Sequence, residues 1–202
     1  MDRPASALRP TAGTPIGWGW GEFIHVFAGG SGTIYAVSPD GSLRWYKHLF
    51  GSGQTPQAGA SIWLAGSGNI IGSGWNEFSW VWSGGNGLIY GALLNGDLQF
   101  YRDVGNGTPA WAAGSGNKIG RGWNGFRHIL SGGGGVIYVV DSAGNLRWYR
   151  DDLMNGTNAP DGSTGWAAAS GSAIGNGWQH FMHVFAGAPG QIFACETLDF
   201  GG

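Results

Sequence analysis

Aromatic side chains recur beside hydrogen-bonding side chains at matched positions, and this is the feature of the sequence that could do chemistry. A flat aromatic ring suits the apolar face of a pyranose, while Arg and Asn side chains can hydrogen-bond sugar hydroxyls. The candidates are Trp45, Phe100 and Trp148, with Arg44 and Arg147 beside two of them, then Trp63, Trp111 and Trp166, and the asparagines Asn69 and Asn117. We interpret them as a sugar-binding set. The alternatives are sheet packing for the aromatic residues and turn formation for the asparagines.

Three histidines also share one position, five residues after a repeated tryptophan: His25, His128 and His183. Three imidazoles around a common axis are a known zinc-binding set. Trp80 holds the same position in another copy of the pattern, however. A position that accepts either His or Trp favours packing, with the ring N–H bonded to backbone. The sequence therefore predicts no metal site, and no cofactor.

The acidic residues do not form a recognisable catalytic arrangement. A retaining glycosidase needs two carboxyl groups about 5–5.5 Å apart, but the Asp and Glu residues lie mostly in turns and loops, with no recognisable pair on an inner strand. No nucleophile-elbow, zinc-protease or phosphate-loop motif is present. We predict that the protein is not an enzyme.

Four copies of one repeat position the candidate residues. Trp20, Trp75, Trp123 and Trp178 are equivalent, each preceded four residues earlier by Ile-Gly and followed three residues later by Phe. Gly recurs nine and twelve residues after each tryptophan, and Ile fourteen residues after it. Self-similarity with a period of about fifty residues indicates a propeller, a solenoid or an array.

Within each copy, alternating aromatic and β-branched residues bounded by glycines predict strands. We place a fourth strand at Trp63, Trp111 and Trp166, twelve residues before the next repeated tryptophan. The predicted fold is all-β: a β-propeller of four blades, each a four-stranded antiparallel sheet. It forms a single domain over residues 1–202, with units at about 7–47, 62–102, 110–150 and 165–200.

The two ends of the chain complement each other. Residues 7–17 match the fourth strand without its tryptophan, while the last unit stops after two strands and a short piece at 197–200. We therefore expect the N-terminal strand to join the C-terminal blade and close the ring, which leaves no bare sheet edge. A larger ring completed by another chain or a missing segment is the alternative.

Composition excludes several classes of partner. Charged residues make up 11% of the chain and the net charge is −2, without a basic stripe, which argues against nucleic acid. No apolar run is long enough for a membrane span, and no signal peptide opens the chain. The single cysteine, Cys195, excludes an internal disulfide and is expected to be a buried structural thiol.

The repeat resembles that of the tachylectin-type β-propeller lectins. The resemblance is carried by Gly122-Trp123-Asn124-Gly125-Phe126, Ile137-Tyr138, Trp148-Tyr149, and Trp111-Ala112 through Ile119-Gly120, and it extends over nearly the whole chain. It implies N-acetylated hexosamine binding in pockets between neighbouring blades, with no metal and no catalysis. Two departures stand out: the best-known members have five blades, and their acidic and amide residues before the fourth-strand tryptophan are absent here.

These observations together predict a carbohydrate-binding lectin for N-acetylated hexosamines (GlcNAc- or GalNAc-like) at multiple equivalent interblade sites. The alternative is a non-catalytic propeller scaffold for protein–protein interaction or self-assembly. The expected partners are glycans with N-acetylhexosamine, with a homo-oligomer as a possibility, and the expected location is extracellular. Exposed Trp45, Phe100 and Trp148 in equivalent pockets would favour the lectin. The same rings buried against their own sheet, with one large apolar patch elsewhere, would favour the scaffold.

Overall fold

The chain folds into successive antiparallel sheets joined by glycine-rich turns. The structure, a computed structural model, describes residues 17–49, 62–187 and 190–196. Those residues form fourteen strands and four 3-10 helices of three residues each. The all-β prediction is confirmed.

Each sheet follows the chain order, so that every strand pairs with the next one. The first sheet comprises β1 (His25–Gly30), β2 (Thr33–Val37), β3 (Leu43–Lys47) and β4 (Asn69–Gly72). The second comprises β5 (Phe78–Gly85), β6 (Leu88–Leu93), β7 (Leu98–Arg102) and β8 (Lys118–Gly120). The third comprises β9 (Phe126–Gly133), β10 (Val136–Asp141), β11 (Leu146–Arg150) and β12 (Ser172–Gly175), and the last has two described strands, β13 (Phe181–Ala186) and β14 (Ile192–Glu196). Three sheets therefore have the four strands that the sequence predicts.

The fourth strand lies later in the chain than predicted. Trp63, Trp111 and Trp166 make only isolated bridges, to His48, Asp103 and Asp151 respectively. A tight glycine-containing turn follows each tryptophan, and the strands β4, β8 and β12 begin after it. Each of these tryptophans therefore pairs with the residue just after the third strand of its sheet. The outer strand of the sheet is formed instead by the residues that end in Ile-Gly, namely β4, β8 and β12.

The Ile-Gly-x-Gly-Trp sequence has two distinct glycine requirements. A Cβ atom on Gly72 would lie 2.6 Å from Nε1 of Trp75, so the first glycine is needed for close approach of the indole. Gly74 has φ +78°, a left-handed conformation that glycine adopts without strain, and it leads into the 3-10 helix Trp75–Glu77. The same geometry recurs at Gly120 and Gly122 before Trp123.

The sheets stack as blades of a β-propeller, and the apolar cores lie between them. The inner strand β1 packs against β5, β5 against β9, and β9 against β13. One core joins Tyr35, Leu43 and Trp45 of the first blade to Trp75 and Phe78 of the second. The other joins Tyr90, Leu98 and Phe100 of the second blade to Trp123 and Ile137 of the third.

The two end faces of the blade array are more open than the internal ones. Phe193 is 49% exposed, while the equivalent Tyr35 and Tyr90 are at most 1% exposed. Among the described strands, β13 and β1 make no packing comparable to that between neighbouring blades. Cys195 is exposed, so the expectation of a buried thiol is wrong: it lies on this open face, where Val37, Ala92 and Val140 are buried in the earlier blades.

The expected closing strand, residues 7–17, lies outside the described residues except for Gly17, as does the short piece at 197–200. Within the described ranges, no helix is both long enough and apolar enough to cross a membrane.

Candidate functional site

Three surface pockets repeat the same four side chains. Each combines the repeated tryptophan, a tyrosine of the third strand, the bridging tryptophan and a serine. The sets are Trp20, Tyr46, Trp63 and Ser67; Trp75, Tyr101, Trp111 and Ser115; and Trp123, Tyr149, Trp166 and Ser170. We call them the first, second and third aromatic pockets. Their volumes are about 610, 340 and 550 Å³, within the range of roughly 300–1,000 Å³ typical of ligand sites.

The rings of each pocket have nearly the same mutual geometry. In the second pocket, the ring centroids of Trp75 and Trp111 are 5.8 Å apart with planes 25° apart, and Tyr101 lies 4.7 Å from Trp75. The corresponding distances in the third pocket are 5.8 and 5.0 Å, and in the first 5.9 and 4.8 Å. The three pockets therefore share the relative positions of their aromatic rings and not only the same residue types.

A hydrogen bond across the blade junction fixes the bridging tryptophan. Trp111 donates its Nε1–H to the carbonyl oxygen of Ile71, on the outer strand of the preceding blade, at 3.2 Å. Trp166 donates in the same way to Ile119 at 3.0 Å. Each ring is half-buried, so one part anchors the junction while another part faces the pocket.

The serine supplies an oriented hydroxyl at the pocket. Ser115 Oγ accepts a hydrogen bond from the backbone N–H of Arg102 at 3.0 Å, and Ser67 and Ser170 accept equivalent bonds from Lys47 and Arg150. Since a hydroxyl that accepts one bond still carries a proton, Ser67 and Ser115 can donate to a ligand oxygen. Ser170 donates weakly to the carbonyl oxygen of Arg150, at 3.5 Å. Burial raises the pKa of Tyr46, Tyr101 and Tyr149, so all three phenols are neutral at physiological pH, and the Tyr101 hydroxyl donates to Gln99 Oε1 at 2.7 Å.

The rims of the pockets differ. The third pocket is bordered by Pro160, Asp161 and Ser163 of a long connector and by Arg121 of the opposite wall. The connector of the second blade is seven residues shorter, since Phe100 and Trp111 are 11 apart where Trp148 and Trp166 are 18 apart. The lining of the second pocket therefore includes Gly72 and Ser73 but no described residue of the connector, in keeping with its smaller volume.

Two of the predicted third-strand aromatic residues are not accessible. Trp45 is 2% exposed and Phe100 is 0% exposed, because both lie in the cores between blades. The expectation that these rings stand open at the surface is wrong. Trp148 is half-buried, with the guanidinium carbon of Arg150 5.9 Å from its ring centroid.

The predicted polar residues mainly hold backbone. Asn69 donates to the carbonyl oxygen of Gly107 and Asn117 to that of Gly156, both at 2.9 Å, so each tethers the connector of the next blade. Arg44 and Arg147 donate to the carbonyl oxygens of Gly68 and Gly171 at 2.8 Å, and Arg147 also pairs with Asp141. Of these four residues, Arg44 lines an aromatic pocket, the first.

Of the ten predicted site residues, the structure thus brings Trp63, Trp111, Trp166 and Arg44 to the aromatic pockets. The prediction missed Tyr46, Tyr101 and Tyr149, which follow the predicted third-strand aromatic residues by one position. The repeated tryptophans Trp75 and Trp123 are 3% and 4% exposed, so they lie in the cores between blades while also closing the floor of their pockets. The recurrence of Tyr in three units was the available signal.

The histidines serve the blade junctions. His25 Nε2 lies 3.3 Å from the carbonyl oxygen of Phe78, and His128 Nε2 lies 3.3 Å from that of Phe181, each across to the next blade. Ring-to-backbone bonding of this kind was the packing interpretation of the sequence. In the described part of the chain, no group of three or more His, Cys, Asp or Glu side chains is placed to hold a metal ion.

Known proteins support both the fold and the repeat. A solved structure described as "The de novo evolutionary emergence of a symmetrical protein is shaped by folding constraints" matches 91% of this chain and 73% of its own chain. Its TM-score is 0.57 at 24% sequence identity, a likeness of fold alone. No curated protein matches the chain.

The Tachylectin family model matches residues 8–152 and 91–200, so its two matches together cover nearly the whole sequence. This confirms the resemblance seen in the repeat, and it indicates a lectin-type carbohydrate-binding protein in a generally non-catalytic family. The chain belongs to the Tachylectin family.

Proposed function

We propose that the protein binds N-acetylated hexosamines, of the GlcNAc or GalNAc type, at its three aromatic pockets. The observation that carries the proposal is the threefold recurrence of a Trp–Tyr–Trp–Ser set in one geometry. Half-exposed rings such as Tyr101 and Trp111 offer flat faces for the apolar side of a pyranose.

The acetamido group matches the mixed character of these pockets. It adds a methyl group, a carbonyl acceptor and an N–H donor to the sugar. The aromatic faces accommodate the methyl group, and the serine hydroxyl can donate to the carbonyl oxygen. Sites of this open kind bind single sugars weakly, and repetition on one molecule raises the avidity for a glycan-bearing surface. Action at extracellular surfaces is part of this proposal.

The indole N–H signals of Trp63, Trp111 and Trp166 provide one NMR reporter for each pocket. Titration with N-acetylglucosamine or N-acetylgalactosamine is expected to shift all three signals saturably, and glucose is expected to act more weakly because it lacks the acetamido group. Tyr101→Ala should abolish the response of Trp111 and leave those of Trp63 and Trp166. Tyr101→Phe keeps the ring and should retain most of the response.

Unshifted indole signals at saturating sugar, in protein with a folded spectrum, would rule the proposal out. An unchanged Trp111 response in Tyr101→Ala would show that the sugar binds elsewhere.

The open end faces favour a second candidate function, that of a non-catalytic scaffold which assembles through its ends. Phe185 and Phe193 on one end and Val26 on the other are about half exposed. Closure of a four-bladed ring by residues 7–17, as the sequence predicts, would cover both faces within one chain, and a homo-oligomer would cover them between chains. Light scattering across a concentration series separates these: a constant monomer mass supports intrachain closure, and a rising mass supports assembly.

A further inference from the structure

The junction between the first and second blades contains a polar cavity of about 230 Å³ that shares no lining residue with the aromatic pockets. Tyr46 of β3 faces the first aromatic pocket, while Trp45 and Lys47 line the cavity. Since successive side chains of a strand alternate, the cavity lies on the opposite face of the first blade. The second blade supplies the other wall with Asn86 and Asp103.

The next junction shows why this cavity is open. There the long connector of the third blade places Met154 against the turn, so that a Cβ atom on Gly135 would lie 3.1 Å from the Met154 sulfur. Gly135 and the equivalent Gly87 both face the backbone carbonyl oxygen of an aspartate, Asp151 or Asp103, but the three atoms nearest an added Cβ on Gly87 include none from Asn106. Asn106 occupies the position of Met154, with nearly the same left-handed backbone (φ 46° against 47°). A short polar side chain therefore stands where a long apolar one fills the space.

Two more substitutions leave the first junction polar. Thr33 lines the cavity where Leu88, 2% exposed, occupies the equivalent strand position. Lys47 donates to Thr33 Oγ1 at 3.3 Å, whereas the equivalent Arg102 donates across the junction to the carbonyl oxygen of Met154 at 2.9 Å. The cavity thus keeps a lysine ammonium on one wall.

A carboxylate faces this ammonium from the other blade. Asp103 is 9% exposed, and its oxygens accept hydrogen bonds from the Tyr35 hydroxyl at 2.9 Å and the Gly105 N–H at 2.8 Å. Because a carboxylate offers about four lone pairs, acceptor capacity remains for a ligand. The described residues form no ion pair between Lys47 and Asp103.

We propose that this cavity binds a neutral polyhydroxylated molecule no larger than a monosaccharide. Asp103 disfavours an anion and Lys47 disfavours a cation, whereas a diol can donate to the carboxylate and accept from the ammonium. Ser31, Asn86 and Asn106 add hydroxyl and amide groups that can hydrogen-bond further hydroxyls of such a ligand.

Xylitol is a suitable probe because it is neutral, hydroxyl-rich and small. Titration of the full chain, followed by amide NMR, is expected to shift the backbone signals of Asn86, Gly87 and Asn106 saturably. Asn106→Met reproduces the filled junction and should abolish these shifts. Met154→Asn makes the reverse change at the other junction and should leave the shifts at Asn86 and Gly87 as they are in the unmodified protein.

Thr33→Leu provides a second filling variant, should Asn106→Met fail to give a folded spectrum, and it should also abolish binding. Persistence of the Asn86 and Gly87 shifts in a folded filling variant would overturn the proposal, as would their absence in the unmodified protein at saturating xylitol. The readout is independent of the three indole reporters, so failure here leaves the N-acetylhexosamine proposal intact, and the reverse also holds.

Discussion

An indole nitrogen restricts which residue can stand three positions before each repeated tryptophan. A Cβ atom at Gly17, Gly72 or Gly120 would lie 2.6 Å from Nε1 of the tryptophan that follows, and one at Gly175 would lie 2.9 Å from it. Real Cβ atoms do not approach so closely, so a larger residue must displace the ring. The glycine therefore sets the position of the pocket floor.

Gly120→Ala is expected to destabilise the protein by about 1–3 kcal/mol, the usual cost of overpacking a filled site. Urea denaturation measures the difference. Gly125→Ala is the matched control, since Gly125 follows the same Trp123, has no atom within 4 Å of an added Cβ, and is replaced by Glu in two other units. Its effect should stay within about 1 kcal/mol. Equal effects of both substitutions would contradict this role of Gly120.

The sequence did not reveal that the tyrosines line the pockets. Phe100 and Tyr101 are adjacent aromatic residues on one strand, so period-two alternation puts them on opposite faces without saying which face is open. Both faces of a blade are covered by neighbouring blades, and this removes the usual polar alternation. The repeat did identify Trp111 and its equivalents, because their spacing to the next unit is constant.

At the scale of elements, a buried hydrogen bond joins each blade to the next. The Tyr35 hydroxyl donates to Asp103 at 2.9 Å across the first junction, and that of Tyr90 donates to Asp151 at 3.0 Å across the second. Burial, and then the nearby carboxylate, raise the pKa of both tyrosines well above the ordinary value of 10.0. Both phenols therefore stay protonated while the blades remain packed.

We expect these two tyrosines to link stability to alkaline pH. Above about pH 10 the unfolded chain loses their protons while the folded state retains them, so the free energy of unfolding falls as pH rises. In an ultraviolet titration, two tyrosines should ionise only together with unfolding. Tyr90→Phe should reduce that number to one and cost about 1–3 kcal/mol, because Asp151 Oδ2 loses its described donor. Ionisation of all tyrosines in folded protein near pH 10 would contradict this linkage.

The strands themselves could be predicted, whereas the outer edge of each blade could not. β2 (Thr33–Val37) follows the alternating β-branched and aromatic residues between glycines from which strands were predicted, because that pattern is a local signal. The outer strand β4 was misplaced at Trp63, which bridges to His48 before the chain turns. Its position depends on the length and path of the connector, which no local pattern records.

At the scale of the whole molecule, the residues at the two open ends are matched by position. Phe193 is the last blade's equivalent of Tyr35 and Tyr90, whose hydroxyls donate to an aspartate of the next blade. His48 is the first blade's equivalent of those aspartates, Asp103 and Asp151. The tyrosine and its acid are thus both replaced at the one junction that would join the last blade to the first. We therefore expect these two faces to contact each other, either within one chain or between two chains.

A double-mutant cycle with Phe193→Tyr and His48→Asp tests that contact. If the end faces meet, the change in unfolding free energy of the double variant should differ from the sum of the two single-variant changes by about 0.5–3 kcal/mol, the coupling energy typical of contacting residues. The cycle is measured by urea denaturation, with light scattering to assign the contact to one chain or two. A coupling energy of zero would show that the ends stay apart.

The central claim is that the aromatic pockets bind N-acetylated hexosamines, and a crystal structure of the protein with saturating N-acetylglucosamine tests it most directly. The account predicts a pyranose ring against the Tyr101 and Trp111 side chains, with the acetamido oxygen near the Ser115 hydroxyl, and equivalent sugars in the first and third pockets. Density for the sugar only outside these pockets, or in none of them, would contradict the account.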